Sequence, residues 1–580
     1  MKKYLSIILL LLFTAGMSSA QERWVQDRVM QKRFVGPAPS VPTMNINYVQ
    51  STITRFLFSP FGINAIGPSF RVLPNSNQQD EVVLVSNRQL PLLLFGSANT
   101  TAGSTFGQGM YISTNGGVNW YGNDILPNLP SSTSDPAPII DKDGRFIFTT
   151  LNTTGSAATM IANYSTNYGS TWSSYLTITS ASSDKNFAAS DDASTSAYYG
   201  RSYSVWSNMA LSSPPINISY TTNGGVSWST PSQINTPPSG HYSQGCDIAI
   251  GPTGQVYVVW AAPISASPYT EDFAGFARSS NGGSSWTVTE NAFDMNGIRS
   301  NSYNGWGFRV NSFPRIAVDR SGGARNGWIY IVESDVGISP AGSDADVVLH
   351  RSTDGGATWS AGIRVNQDAL NNGKVQFFPA ICVDYTGGVN VVYYDNRNFA
   401  SSGDSCGVFM SRSIDGGNTW TDMQVSDHNW KPKPESGMGT YAGDYIGITS
   451  TNGKIFPFWF DDKTGTMQAW TCMIDLGPSI NHTPLTNTEF ISGSRVVNCS
   501  ITPAGSGINP SLTRLYYSKD NPSISNYVTM TNSSGTNWTA NLPLSGAGLY
   551  RYYITTTDSL NRTATAPSGA PGIYYSFIAA

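Results

Sequence analysis

Apolar and polar positions along this chain fall into short runs bounded by turn residues, not into long helical stripes. A recurring unit is an apolar strand, a Gly-containing turn, then a strand rich in Val, Ile, Tyr and Trp. Clear copies are Pro138-Ile139-Ile140-Asp141 before Phe146-Ile147-Phe148, and Asp247-Ile248-Ala249-Ile250 before Val256-Tyr257-Val258-Val259-Trp260. Others are Phe313-Pro314-Arg315-Ile316-Ala317-Val318-Asp319 before Trp328-Ile329-Tyr330-Ile331, and Phe378-Pro379-Ala380-Ile381 before Val391-Val392-Tyr393-Tyr394. Degenerate copies begin near Glu81 and Asn186, and a last one runs from Gly443 through Ile448 to a strand over Ile455 to Phe460. Runs of this length and composition predict strands, and their recurrence predicts a repeat architecture.

A second pattern, close to Ser-x-Asp-Gly-Gly-x-Thr-Trp, follows six of the seven units. It spans Ser113 to Trp120, Ser165 to Trp172, Thr221 to Trp228, Ser279 to Trp286, Ser352 to Trp359 and Ser413 to Trp420. Paired glycines such as Gly355-Gly356 supply the positive φ of a tight hairpin. The Asp or Asn holds its own turn as an Asx-turn, and the Trp buries a large ring between sheets. Four copies carry Asn (Asn115, Asn167, Asn223, Asn281) where two carry Asp. A catalytic carboxylate does not exchange with an amide so freely, so the pattern is structural.

On these residues the chain resembles the Asp-box propeller superfamily that includes sialidases. The counting predicts an all-β chain: a seven-bladed β-propeller over residues 45–478, with six blades as the alternative. The last unit has three strands, and the fourth is expected from the region between Asn45 and Arg71, closing the ring. Beyond Leu476-Gly477-Pro478 the pattern changes. Short strands around Arg495–Ile501, Thr513–Tyr517, Tyr527–Met530 and Tyr550–Ile554 predict a fibronectin-like or immunoglobulin-like β-sandwich over 479–580.

Composition narrows the function classes. Only 12% of residues are charged and the net charge is −4, without a basic cluster, which argues against nucleic acid. Residues 1–20 have the basic, apolar and small-residue parts of a signal peptide, followed by an extension over 21–44. The expected location is therefore secreted, cell-surface or periplasmic in a bacterium. Nothing later is long and apolar enough to span a bilayer. The five cysteines have no metal-ligand spacing. Cys382 and Cys406 share one unit, and either a disulfide or buried thiols would fit. No cofactor is expected, a structural calcium ion is compatible with the turns, and the chain is read as a monomer.

Candidate chemistry lies where inner strands would line a channel. One register across the seven units holds Val82, Ala137, Phe187, Asp247, Arg315, Ala380 and Tyr445; Asp247, Arg315 and Tyr445 break its apolar character. A second set ends the second strands: Glu333, Asp395 and Asp461, with Arg397 close by. The sialidase resemblance implies three arginines around a substrate carboxylate, a Tyr nucleophile polarised by Glu, and an Asp acid/base. It would cast Tyr445 as nucleophile with Glu333, and Asp395 or Asp461 as acid. The family's Arg-Ile-Pro motif finds only Phe70-Arg71-Val72-Leu73-Pro74, one residue too long, with Asp80-Glu81 where the arginine belongs. Gly443-Asp444-Tyr445 resembles the last blade of secreted sialidase-like repeat proteins, which implies no defined reaction. Ligand-binding candidates are Arg315, Arg397, Asp247 and Asp444. Trp206, Trp260 and Trp459 are candidate stacking platforms for sugar rings. The two expected functions are a glycan-directed protein, binding or processing carbohydrate or glycoprotein, and a non-catalytic interaction scaffold.

Overall fold

The computed structural model describes residues 55–56, 63–103, 105–299, 307–399, 405–434, 441–451, 453–503, 507–559, 563–567, 570–571 and 574–580. The predicted signal peptide and the 21–44 extension lie outside the described residues. The protein is all-β. Its described residues form successive antiparallel sheets, most of them four-stranded meanders.

Each meander starts on an inner strand: Gln78–Asn87, Thr133–Ile140, Ser183–Ser190, Gln244–Ile250, Arg315–Val318, Gln376–Val383 and Gly447–Thr451. Those strands touch in a closed order, each against the next and the last against the first. The sheet begun by Gly447–Thr451 continues through Lys454–Asp461 and Gln468–Thr471, and N-terminal strands complete it. There Phe70 pairs with Thr471, Arg71 with Trp470 and Ile66 with Ile474. Residues 479–580 form two further sheets that share one apolar cluster, including Val497, Trp538 and Leu542 from one and Leu515, Tyr552 and Phe577 from the other.

The repeated turn has one hydrogen-bond scheme throughout. In the last copy Ser413 Oγ donates to Asp415 Oδ1 (2.8 Å) and accepts the Gly417 N–H (2.8 Å), while Asp415 Oδ1 accepts the Thr419 N–H (3.0 Å). Asn115 does the same work in the first copy, its Oδ1 accepting the Asn119 N–H at 2.9 Å. Only one acceptor oxygen is needed, which is why amide and acid interchange. The tryptophans pack on the preceding sheet: Trp172 lies 5.9 Å from Phe95, and Trp359 lies 5.0 Å from Phe276.

Two members of the predicted inner-strand register need correction. Val83, not Val82, pairs with the second strand as Ala137, Phe187, Asp247, Arg315 and Ala380 do; in the last sheet Gly447 takes that place, not Tyr445. A bulge interrupts five of the inner strands and shifts the count. Two residues before the paired position the chain turns left-handed, at Glu81, Asp135, Lys185, Gly245 and Phe378, with φ between 48° and 65°.

Candidate binding site at the inner strands

Four of those left-handed residues are not glycine, and each such conformation costs on the order of 1 kcal/mol. The bulges bring side chains from distant parts of the chain to one point. Lys185 Nζ lies 3.0 Å from Glu81 Oε1 and 2.5 Å from Asp444 Oδ2. Asp444 also takes two hydrogen bonds from Arg309 Nη2 (2.9 and 2.7 Å) and one from Asn311 Nδ2 (2.9 Å). Asn99 donates to Glu81 Oε2 (2.5 Å), and its carbonyl accepts the Asp135 N–H (3.0 Å). The Asp135 carboxylate in turn accepts the Lys185 N–H (3.0 Å).

Burial sets the protonation states. It works against the Lys185 ammonium, yet Asp444, Glu81 and Asp135 outweigh it and hold the lysine well above its usual range. Burial likewise opposes ionised Asp444, but Arg309 and Lys185 keep that carboxyl below the ordinary carboxylate value. Asp135 goes the other way: desolvation dominates the attraction of Lys185 and raises its carboxyl well above the usual range. Burial, then the nearby carboxylates, also push Tyr441 and Tyr445 well above the usual phenol range. Both tyrosine hydroxyls are buried without a hydrogen-bond partner among the described residues.

Beside this network Arg315 spans the ring. Its Nε reaches Asp247 Oδ2 (2.9 Å), its Nη1 donates to the Ile446 carbonyl (3.0 Å), and its guanidinium lies 4.4 Å from the Phe187 ring centroid. Tyr445 meets Phe187 edge-on at 5.1 Å. Arg315, Phe187, Tyr445, Lys185, Asp444 and Asn311 line a narrow cleft with about 10 Å³ of free space, room for one water molecule. The side chains of Arg309 and Arg315 are 17% and 13% exposed, against 10% for Asp247, 2% for Asp444 and 0% for Glu81.

Of the residues expected from sequence, Tyr445, Asp444, Arg315 and Asp247 meet here. Glu333, Asp395, Arg397 and Asp461 sit at the same end of their sheets but one strand outward, as the pairing of Gln376 with Asp395 shows. All three carboxylates are fully buried. Glu333 faces His350 (3.5 Å), Asp395 is clasped by Arg397 (2.6 Å), and Asp461 accepts from Trp459 Nε1 (2.9 Å) beside His428 (2.8 Å). Trp206, Trp260 and Trp459 are likewise wholly buried, so none offers a platform to a sugar. All five cysteines are free thiols.

Lys185, Glu81, Asp135, Arg309, Asn311 and Tyr441 were not anticipated. A signal existed: Asp80-Glu81, Ser134-Asp135 and Asp184-Lys185 each put a polar pair just ahead of an apolar inner strand. Among the described residues no group of three or more His, Cys, Asp or Glu side chains is arranged to hold a metal. No helix among them is long and apolar enough to cross a membrane.

No family model matches the chain, and no curated protein does. Solved structures do align with it. A protein of unknown function from Dyadobacter fermentans is 11% identical, with 70% of this chain and all of that one covered and a TM-score of 0.38. A polysaccharide lyase of family PL25, an ulvan lyase, is 9% identical over 73% of this chain and 96% of its own, with a TM-score of 0.43. The NanB sialidase of Streptococcus pneumoniae is 10% identical over 74% and 98%, with a TM-score of 0.35. At such values the alignments assign neither a family nor an activity.

Proposed function

We propose that this chain is an exported, sialidase-like Asp-box propeller of seven blades. In this reading residues 479–580 are an appended β-sandwich, and the inner-strand mouth binds the acidic part of a glycan. The observation that carries the ligand class is the presence of two partly exposed guanidinium groups, Arg309 (17%) and Arg315 (13%), at a cluster where Glu81 and Asp444 are buried and Asp247 is 10% exposed. A planar guanidinium suits a sugar carboxylate or sulfate ester. The signal-like residues 1–20 support export to a bacterial surface, periplasm or medium.

The reading is of binding. Tyr445 has Phe187 and Lys185 as neighbours, its ring centroid 5.1 Å from each, and burial holds its phenol well above the usual range, which disfavours the phenolate a nucleophile needs. The test is an array of acidic and neutral glycans probed with the mature chain. Acidic glycans are expected to be retained, and Arg309→Gln and Arg315→Ala to lose them at least tenfold, the worth of a charge-assisted contact. Equal retention by both variants would discard the site. Fluorogenic sialosides turned over by the parent and not by Tyr445→Phe would replace binding with catalysis.

A second reading, a scaffold that binds protein, is favoured by exposed apolar side chains in the C-terminal sheets. Phe490 is 75% and Val496 53% exposed. A flat glycan array combined with partner capture that fails for Phe490→Ser would support it.

A further inference from the structure

The second sheet of residues 479–580 is built from Arg514–Lys519, Asn526–Thr529, Gly548–Thr557, Thr563–Ala566 and Tyr575–Ala579. Leu515, Tyr552, Ile554 and Phe577 enter the shared apolar cluster, so their neighbours along each strand point to the opposite face. On that outer face Tyr516 stands opposite both Tyr527 and Tyr553, Arg514 opposite Thr555, and Arg551 opposite Ser518 and Ser576. The remaining paired positions of the face are Ser, Thr, Leu549 and Ile578, and none is Asp or Glu.

The tyrosines form a row across three strands. Tyr516 and Tyr553 are parallel to within 5° with ring centroids 4.9 Å apart, and Tyr527 continues the row at 5.4 Å. Coplanar rings could not come so close, so Tyr516 and Tyr553 overlap as a stack and do not lie flat on the sheet. That stack is a stiff base between two half-buried arginines. Arg514 lies 4.4 Å from the Tyr527 ring centroid and donates to Tyr516 Oη (3.3 Å), and Arg551 lies 5.6 Å from the Tyr574 centroid. Tyr527 and Tyr574 are 49% and 37% exposed. Among the described residues neither guanidinium has a carboxylate within ion-pairing distance, whereas Arg309, Arg315, Arg364 and Arg397 of the ring each have one. Asp520, in the turn beyond Lys519, faces that lysine (3.4 Å) and accepts the Leu549 N–H (2.8 Å).

This face is therefore cationic on a chain whose net charge is −4, so an anion gathers here by local charge and not by the charge of the whole. A guanidinium held on an aromatic ring keeps its N–H edge for a planar carboxylate. Arg551 lies four residues along its strand from Thr555, the partner of Arg514, which sets the two charged stems roughly 14 Å apart. A single small anion does not bridge that distance. An extended polymer with acids at intervals does, and the phenol, Ser and Thr hydroxyls between the arginines match a chain of sugar hydroxyls. We propose that the tyrosine–arginine face of this sheet is a docking surface for a carboxylated polysaccharide. It is a site separate from the inner strands and does not depend on the reading given to them.

Titration of the immobilised mature chain with alginate, neutral dextran and poly-glutamate tests it. Alginate is expected to bind at least tenfold more tightly than the other two. Arg514→Gln and Arg551→Gln should each weaken alginate about fivefold, as for one exposed charge pair, with unchanged melting temperature. The same losses are expected in an Arg309→Gln, Arg315→Ala background, where the inner-strand arginines no longer contribute. Alginate bound equally by the parent and both sheet variants would overturn the docking surface. Dextran binding as tightly as alginate would remove the role of charge, and poly-glutamate binding as tightly would assign the face to acidic protein; either result overturns the proposal. Failure of the inner-strand reading looks different: Arg309→Gln and Arg315→Ala then leave acidic-glycan binding unchanged while Arg514→Gln still weakens alginate.

Discussion

Lys185 shows how little a single residue announces. It is one of 33 basic residues in the sequence, yet the fold buries its ammonium between Glu81 and Asp444. Removing one partner of a buried pair strands the others, at a cost of about 3–5 kcal/mol. Lys185→Met should therefore lower the denaturation midpoint sharply, and adding Asp444→Asn should recover part of the loss. Additive losses in the double variant would mean that the pair is not coupled. Glu333 is the contrasting case. Burial raises its carboxyl well above the usual range and lowers His350 to about 4, so the imidazole is uncharged near pH 7 and their contact is not an ion pair. Glu333→Gln should cost less than about 1 kcal/mol in urea denaturation, as expected for a change that keeps the shape and breaks no ion pair. His428 is charged: burial opposes protonation, but the hydrogen bonds its ring N–H groups donate to Asp427 and Asp461 outweigh it and raise the imidazole from 6.5 to about 9. A folded value above the unfolded one means the stabilisation is complete below about pH 6.5 and is lost as pH rises through about 9. Melting temperatures of the parent and His428→Gln should differ at pH 6 and converge above pH 9. A constant gap across that range would show that the charge contributes nothing.

The elements were more legible than the residues, because turns and strands are written locally. Asn115 and Asp415 keep the same turn through one acceptor oxygen, and the glycine pairs record backbone conformations that few other residues adopt. Gly356 has φ of 83°, and a Cβ there would stand 2.2 Å from Phe276 of the preceding sheet. Its glycine therefore answers both to the turn and to the neighbouring sheet. Gly356→Ala should destabilise by more than the roughly 1 kcal/mol of left-handed strain alone, and Phe276→Leu in the same chain should relieve part of the excess, read as melting temperature. What stayed illegible were the bulges. A left-handed Glu81 or Lys185 leaves no mark in an apolar–polar pattern; the bulge at Glu81 moved Val82 out of the register assigned to it, and in the last sheet pairing starts two residues beyond Tyr445, at Gly447. The burial of Trp206, Trp260 and Trp459 was equally hidden, since a Trp on a second strand reads the same whether a sheet covers it or not.

At the scale of the molecule, the closed order of inner strands depends on residues far apart in sequence. Ile63, Ile66, Phe70 and Arg71 pair with the segment from Trp470 to Leu476, so the first described strands complete the sheet begun by Gly447–Thr451. The uneven count of six repeated turns against seven strand units pointed to such a closure, since the last unit lacked a fourth strand of its own. Every other sheet of the ring draws its strands from one continuous segment, whereas this one bridges residues some 400 apart and closes the longest loop. Its apolar residues pack into the core beside that edge, with Ile63, Ile66 and Phe70 each at most 3% exposed. Removing residues up to Arg71 should leave the Gln468–Leu476 edge bare, a template for pairing with another chain. The truncated protein is expected to melt lower and to associate with itself in analytical ultracentrifugation. A synthetic peptide of residues 63–74 added in trans should restore both the melting temperature and the monomer. Unaltered stability of the truncated chain would mean that this strand covers the edge without holding the ring, and closure would then rest on the contact between the first and last inner strands.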